Sequence, residues 1–395
     1  MIKLLIEYIW IGFQVLLGVN LVFPVVLYLF YAVFKRKNTI HSAKPVVEAD
    51  YAIIVTAYEQ ITYLPAVIES LLKMNYSNYA IYIVADCCDI SSLQFKDTRV
   101  IVLRPEEPLR SNVRSHFYAI DHFIRPHERL TIIDSDNLVH PDYINELNVY
   151  FDQGYSAVQG PRMPKNLNST YACLDAARDI YYHFYDGKIL FGLGSSATLA
   201  GSGMAFKTSL YTECLGKHAN LSGAGFDKVL QAEIVKRNVR IAFAEDAIVY
   251  DEKTTHSEQL VNQRARWVNT WFKYFQYGFS LIKKGIFNRS INQFLFGVVL
   301  LRPPLFMFII LSGGCLLVNA FINPFISLLW LAGFIAFLAG FYIALLRSNT
   351  SQQIYRSITG IPLFMFYQVM AVFKSGNRKG ENIATRHLEP AAKHK

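Results

Sequence analysis

The sequence predicts an α/β domain built on a mixed or parallel sheet and flanked by membrane-spanning helices. Two observations predict it. Residues 50–290 alternate between short, β-branched apolar runs and stretches with helical spacing, the pattern of βαβ units. Outside that window the residues gather into long uncharged apolar runs, of the roughly 20 residues that a helix needs to cross a bilayer core. A third observation gives the domain a working end. Tyr58, Asp86 and the Asp134/Asp136 pair stand at predicted strand ends, where open α/β sheets bind ligands.

Composition agrees with this division. The chain has 395 residues, of which 52% are hydrophobic, above the ~45–50% of soluble domains. The excess sits at the two ends. The net charge of +9 is spent where apolar segments begin and stop: Lys35, Arg36 and Lys37 follow one, Lys283, Lys284 and Arg289 precede another, and the tail is basic. Basic flanks mark the cytoplasmic side of a membrane and lean on anionic headgroups. No nucleic-acid motif accompanies the charge, so membrane lipids and not nucleic acid are the expected contact. The five cysteines are odd in number and lack metal-ligand spacing. They predict reduced thiols, not a disulfide framework or a zinc site.

Taken in order, a tip of residues 1–8 precedes an uncharged run, 9–34, read as a retained anchor with its N-terminus outside. Residues 35–290 then form a cytoplasmic domain. Its predicted strands are DYAIIVTAY, IYIVAD, RVIVL and RLTIIDSD, with helices from Tyr63 to Met74 and from Ser111 to Ile124. Residues 294–320 and 324–346 each suffice to span. The stretch 354–373 carries Arg356 and is interrupted by Gly360 and Pro362. The positive-inside bias favours an interfacial or re-entrant helix there over a further span, since a span would carry the basic tail 374–395 outside. The whole reads as a multi-pass protein of the cell (inner) membrane.

Three constellations carry chemistry. In TIIDSDN, Asp134 and Asp136 are two apart at the end of an apolar strand. Alternate strand residues face one way, so both carboxylates can converge on one hard cation, Mg2+ or Mn2+, that also takes substrate phosphates. The plainer reading is a polar turn ending a strand. In QRARW, Gln263, Arg266 and Trp267 share a helical face. Arg suits phosphate, and an indole face suits the apolar side of a sugar ring. The plainer reading is a helix beside the membrane. In GAGFDK, Asp227 opens an apolar-periodic helix. It is a candidate general base and equally a candidate N-cap.

The order VTAYE (55–59), VAD (84–86), IDSDNLVHPDY (133–143), VQG (158–160), GSGMAF (201–206), the acidic helix start at 227 and QRARW (263–267) resembles the family-2 processive-type glycosyltransferases. These include bacterial synthases of cellulose, hyaluronan, chitin-like oligomers and poly-N-acetylglucosamine. The resemblance covers roughly residues 50–275, and the flanking apolar segments match the family's layout. It implies that Ala57, Tyr58 and Glu59 contact the nucleotide and that Asp86 reads the uracil. Asp134 would lie near the donor's ribose and sugar, and Asp136 would hold the metal. Gly201, Ser202 and Gly203 would line the acceptor side, and Asp227 would be the catalytic base. Gln263, Arg266 and Trp267 would hold the diphosphate and shape the acceptor site. The chain departs from the family at Gly225-Phe226, where an acid usually precedes the base. Glu245-Asp246 falls where the family carries a non-catalytic stretch. A Gly-Lys pair usual after the third strand is missing, with Arg110 or Arg114 as substitutes.

These expectations describe an inverting, metal-dependent transfer of a hexose or N-acetylhexosamine from a UDP-sugar to a polysaccharide or lipid-linked acceptor. Extrusion of a polymer needs more helices than the spans read here, so it would call for assembly of several chains or for a membrane partner subunit. Addition of a single sugar to a lipid would not. A non-catalytic membrane scaffold or sensor is the reading from another class. The missing acid at Phe226 favours it, and retention of Asp86, Asp134, Asp136, Asp227 and the whole QRARW set opposes it.

Overall fold

A computed structural model describes residues 2–34, 48–219, 221 and 223–375. The basic cluster 35–37 and the tail beyond Ser375 lie outside the described residues. The strands are β1 (Tyr51–Tyr58), β2 (Tyr79–Asp86), β3 (Val100–Leu103), β4 (Arg129–Asp134), β5 (Leu138–Val139), β6 (Ala157–Gln159), β7 (Arg162–Pro164), β8 (Met204–Lys207), β9 (Ile241–Phe243) and β10 (Val249–Asp251). Seven form one sheet in the order β3-β2-β1-β4-β8-β6-β9. Its first four strands are parallel. β8 alone runs against its neighbours β4 and β6. A small second sheet, β5-β10-β7, closes one side.

The parallel half follows from its residues. Every residue of β2 is buried, as expected of a strand with helices on both faces. The Leu64–Leu72 helix buries Leu64, Val67, Ile68 and Leu71, the i, i+3, i+4, i+7 stripe of a core-facing helix. Register sets the site: Tyr58 pairs with Asp86, and Thr56 with Asp134. The polar ends of β1, β2 and β4 therefore share one edge.

Among the described residues, three helices are long and apolar enough to cross a membrane: one ending at Phe34, Leu305–Ile322 and Pro324–Leu346. The first begins at Ile2. The helix therefore takes in most of the tip expected at residues 1–8, where Lys3 and Glu7, spaced i, i+4, do not interrupt it. Gln14 Oε1 accepts hydrogen bonds from Asn319 Nδ2 (2.6 Å) and Trp330 Nε1 (3.0 Å), tying the three helices together by the polar contacts that membrane bundles use.

Two predicted segments differ. The stretch 294–320 is not one helix. It divides into Ile291–Leu301 and Leu305–Ile322 around an extended Arg302. Pro303 and Pro304 cause the break, since each removes an N–H and disfavours helix in the residue before it. The 354–373 stretch divides into Gln352–Ser357, a tight turn at Ile358–Gly360, and Ile361–Ser375. The last helix packs on the Ser257–Tyr274 helix, with Phe364 buried against Leu174 and Leu260. Its described residues number 15, about 22 Å of helix.

Candidate active site

A cavity of about 650 Å³ opens at the carboxyl ends of the parallel strands. Ala57, Tyr58, Asp86, Asp134 and Asp136 line its sheet side. Gly201, Asp227, Gln263, Arg266 and Trp267 line the rest, so most of the sequence-predicted residues meet in one space. Glu59, Ser202 and Gly203 are not part of its wall.

At the β1–β2 end, Asp86 is 2% exposed. Its two oxygens accept the backbone N–H groups of Leu109 (2.9 Å) and Arg110 (2.6 Å). The carboxylate thus pins the loop after β3 and holds Arg110 on the cavity. Of the two arginines that could replace the absent Gly-Lys pair, Arg110 lines the cavity and Arg114 does not. Glu59 is exposed with φ 59°, and its N–H donates to the Asp86 carbonyl (3.1 Å). It shapes the turn and does not face the cavity. Burial first, and then the neighbouring Glu59, raise Tyr58 above its ordinary range.

The aspartate pair requires a correction. β4 ends at Asp134, and Asp136 lies in the following turn, where the Asn137 N–H returns to the Asp134 carbonyl (3.0 Å). The carboxylates meet because the chain turns, not because strand residues alternate. Burial, then the charge of Asp136, push Asp134 up to about 7. The charges of Arg162 and Arg266 act the other way but do not outweigh the burial, and a divalent cation beside the pair would add to them. Among the described residues no cluster of three or more His, Cys, Asp or Glu side chains exists that could form a cage for a metal. Two carboxylates instead suit a hard cation that completes its shell with substrate phosphates and water.

Ser202 and Gly203 stand behind the aspartates. The Ser202 hydroxyl, fully buried, lies 3.1 Å from the Asp134 backbone N–H and accepts its hydrogen bond. Gly203 (φ 67°) packs so closely that a Cβ would meet Val249 at 3.0 Å. Both residues lie behind the pair and outside the cavity wall, which Gly201 reaches. Ser202→Ala should leave a buried N–H unsatisfied and cost about 1–3 kcal/mol. A thermal melt of the purified protein would read that loss, and a reduced turnover should accompany it.

Asp227 sits in the first turn of the Phe226–Lys236 helix, whose N-cap is Gly225, not Asp227. Gly225 has φ 99°, and a Cβ there would meet Thr270 and Tyr274 at 2.6 Å. Only glycine both makes the left-handed turn and lets this helix start against the QRARW helix. Lys228 Nζ lies 3.0 Å from the Asp227 carboxylate. Phe226, in the place of the usual acid, is buried edge-on against His116, with ring centroids 5.0 Å apart. Burial brings His116 down to about 3, so it is neutral. The missing acid is replaced by a neutral aromatic contact.

The Ser257–Tyr274 helix carries the QRARW residues. Arg266 faces the aspartates. Burial lowers its pKa, and the charge of Asp134 opposes that. Gln263 Oε1 accepts from Thr254 Oγ1 (3.4 Å). Trp267, read as a sugar platform, lines the cavity and also stacks with protein cations: Arg264 and Arg178 stand 4.0 and 4.2 Å from its centroid. The sequence reading missed the network behind this contact. Arg264 bonds Asp175, and Arg178 bonds Asp179 and lies 3.1 Å from Asp175. Lys253 bridges Asp179 (2.5 Å) and Asp251 (2.6 Å). The signal was present: Asp175, Arg178 and Asp179 follow an i, i+3, i+4 spacing on the Thr170–Tyr182 helix, which places them on one face. Burial, then Arg178, bring Arg264 down to about 10.

Comparison with known proteins places this arrangement. A mannosyltransferase from Pyrobaculum calidifontis, solved with GDP-Man and Mn2+, is similar in structure at 14% identity, with a TM-score of 0.51. The match covers 92% of this chain and 98% of that one. S. aureus TarS 1–349, solved with UDP-GlcNAc, is matched at 13% identity and a TM-score of 0.42 over 82% of this chain and 89% of that one. No curated protein matches the sequence. The first likeness supports a GT-A-like α/β fold with a mostly parallel sheet. Residues 49–270, more than half of the chain, match the family described as Glycosyltransferase like family 2; the chain belongs to that family and is a glycosyltransferase.

Proposed function

We propose that the chain transfers a hexose or N-acetylhexosamine from a UDP-sugar, with inversion, to a lipid-linked or polysaccharide acceptor at the cytoplasmic face of the cell membrane. The observation that carries this is a single cavity. It holds Asp134, Asp136 and Arg266 beside Asp227, and continues to Leu305 and Phe306, the first residues of a membrane-length helix.

The UDP-sugar lies across the strand ends, its base toward Tyr58 and the Asp86-pinned loop. Asp134 and Asp136 would hold Mg2+ or Mn2+, which stabilises the departing diphosphate when bound. Arg266 adds a fixed positive charge to that leaving group. Asp227 takes the proton of the acceptor hydroxyl, whose oxygen bonds the anomeric carbon as the bond to UDP breaks on the opposite face. An α-linked donor then gives a β-linkage. The shielded cavity limits transfer to water. Membrane placement is supported by the Tyr277–Phe287 helix, which exposes Phe279, Ile286 and Phe287 beside Lys283 and Lys284, the mix of interfacial helices.

The test is transfer of radiolabelled sugar by the full chain in native-lipid nanodiscs, followed by organic extraction. A β-linked product in the organic phase supports a lipid-linked acceptor. A product retained in the aqueous, ethanol-precipitable fraction supports a polysaccharide acceptor, and release of free sugar alone contradicts both.

A further inference from the structure

The start of the Phe226–Lys236 helix carries its charges in an unexpected order. Phe226 holds the place of the usual acid, and a cation, Lys228, follows Asp227 instead. The first turn is a poor place for a cation, because the free N–H groups there form the positive end of the helix dipole. A lysine in that turn needs an anionic partner and an anchor, and here it has both. Its Nζ lies 3.0 Å from Asp227 Oδ2 and donates to the Leu199 carbonyl at 3.3 Å.

The anchor is itself tied down. Leu199 is buried, and its N–H donates to Gln231 Oε1 at 2.9 Å. Gln231 is fully buried and stands at i+4 from Asp227, one turn along the same helix. Asp227, Lys228, Leu199 and Gln231 thus form a closed brace, and all four line the cavity. The segment that receives the brace continues to Ser202, whose hydroxyl accepts the Asp134 N–H. One short piece of chain therefore supports the aspartate pair at one end and anchors Lys228 at the other.

A general base takes a proton through one oxygen placed within hydrogen-bond reach of the hydroxyl. A carboxylate free to turn would present either oxygen in many directions. With the ammonium on Oδ2, Oδ1 is the oxygen left for the acceptor, and its direction is set relative to the aspartate pair. We propose that Lys228 is a positioning residue of the transfer reaction, holding the Asp227 carboxylate by one oxygen and taking over the supporting role of the absent acid. This deepens the reading of Asp227 as the base and rests on it.

The test is steady-state transfer by the full chain in native-lipid nanodiscs, with whichever of radiolabelled UDP-glucose and UDP-N-acetylglucosamine is transferred. Lys228→Met should lower kcat about tenfold, part of the ~10²-fold that a misplacement of about 1 Å can cost. KM for the UDP-sugar should stay within about twofold of the parent. Lys228→Arg keeps a cation and should recover most of the loss. The two side chains of the pair are 36% and 16% exposed, and such a pair adds little stability, so the melts of the three proteins should agree. In an Asp227→Asn background there is no carboxylate to hold, so Lys228→Met should change the residual transfer by less than about twofold. An unchanged kcat in Lys228→Met, an equal loss in Lys228→Arg, a rise in UDP-sugar KM in place of the kcat loss, or the same fold loss with and without the Asp227 carboxylate would overturn the role. Asp227→Asn alone separates the two claims. Its loss of transfer beside an unaffected Lys228→Met sinks the brace and leaves the base standing, whereas its normal transfer removes both.

Discussion

Asp227→Asn is expected to lower sugar transfer by about 10²- to 10⁴-fold, the usual contribution of a positioned general base, while nucleotide binding stays within about twofold of the parent. Asparagine keeps the volume and the place in the first turn of the Phe226–Lys236 helix. It loses the ability to take a proton, along with the charge that Lys228 pairs with. UDP affinity is set elsewhere, by the loop that Asp86 pins and by Arg266 with the aspartate pair. Calorimetry with UDP and a transfer assay on the same preparation separate the two effects. Normal transfer by the variant would remove Asp227 from the reaction.

The second large effect is structural. Asp175→Ala should destabilise the protein by about 3–5 kcal/mol, because removing one partner of a buried pair strands the others. Two guanidiniums, Arg264 and Arg178, depend on this carboxylate. A melt in detergent should fall by about 10 °C. Arg264→Met together with Asp175→Ala should recover part of the loss, because the double variant no longer buries Arg264 against a missing charge. An unchanged melt in the single variant would mean that the network carries no stability.

The α/β fold was legible because its signals are local. Strands such as YIVAD and TIID carry their own apolar runs, and each ends on the acid that the site uses. The candidate site was legible where a motif residue reaches the cavity wall directly, as at Asp86, Asp134, Asp136 and Arg266. It was less legible where a residue acts through another. Ser202, which the resemblance puts on the acceptor side, is carried beneath Asp134 by the chain leading into β8. Trp267 gives no sign in the sequence that Arg178, from a helix about 90 residues earlier, stacks on it. The Asp175–Arg264 pair is a tertiary contact with no sequence neighbourhood, so only its helical spacing could have hinted at it. Pro303-Pro304 stands within the 294–320 run, and two adjacent prolines end a helix even within an apolar stretch.

The most direct test of the central claim is nucleotide release by the full chain in nanodiscs. It would use a panel of UDP-sugars with GDP-mannose as comparison, each with Mn2+, with Mg2+ and with chelator, for the parent and for Asp136→Ala. The account expects release from a UDP-sugar that requires the divalent ion and falls by about 10²-fold or more in Asp136→Ala, since leaving-group stabilisation of this kind is worth several kcal/mol. Release that persists in chelator and is unchanged in Asp136→Ala would contradict it.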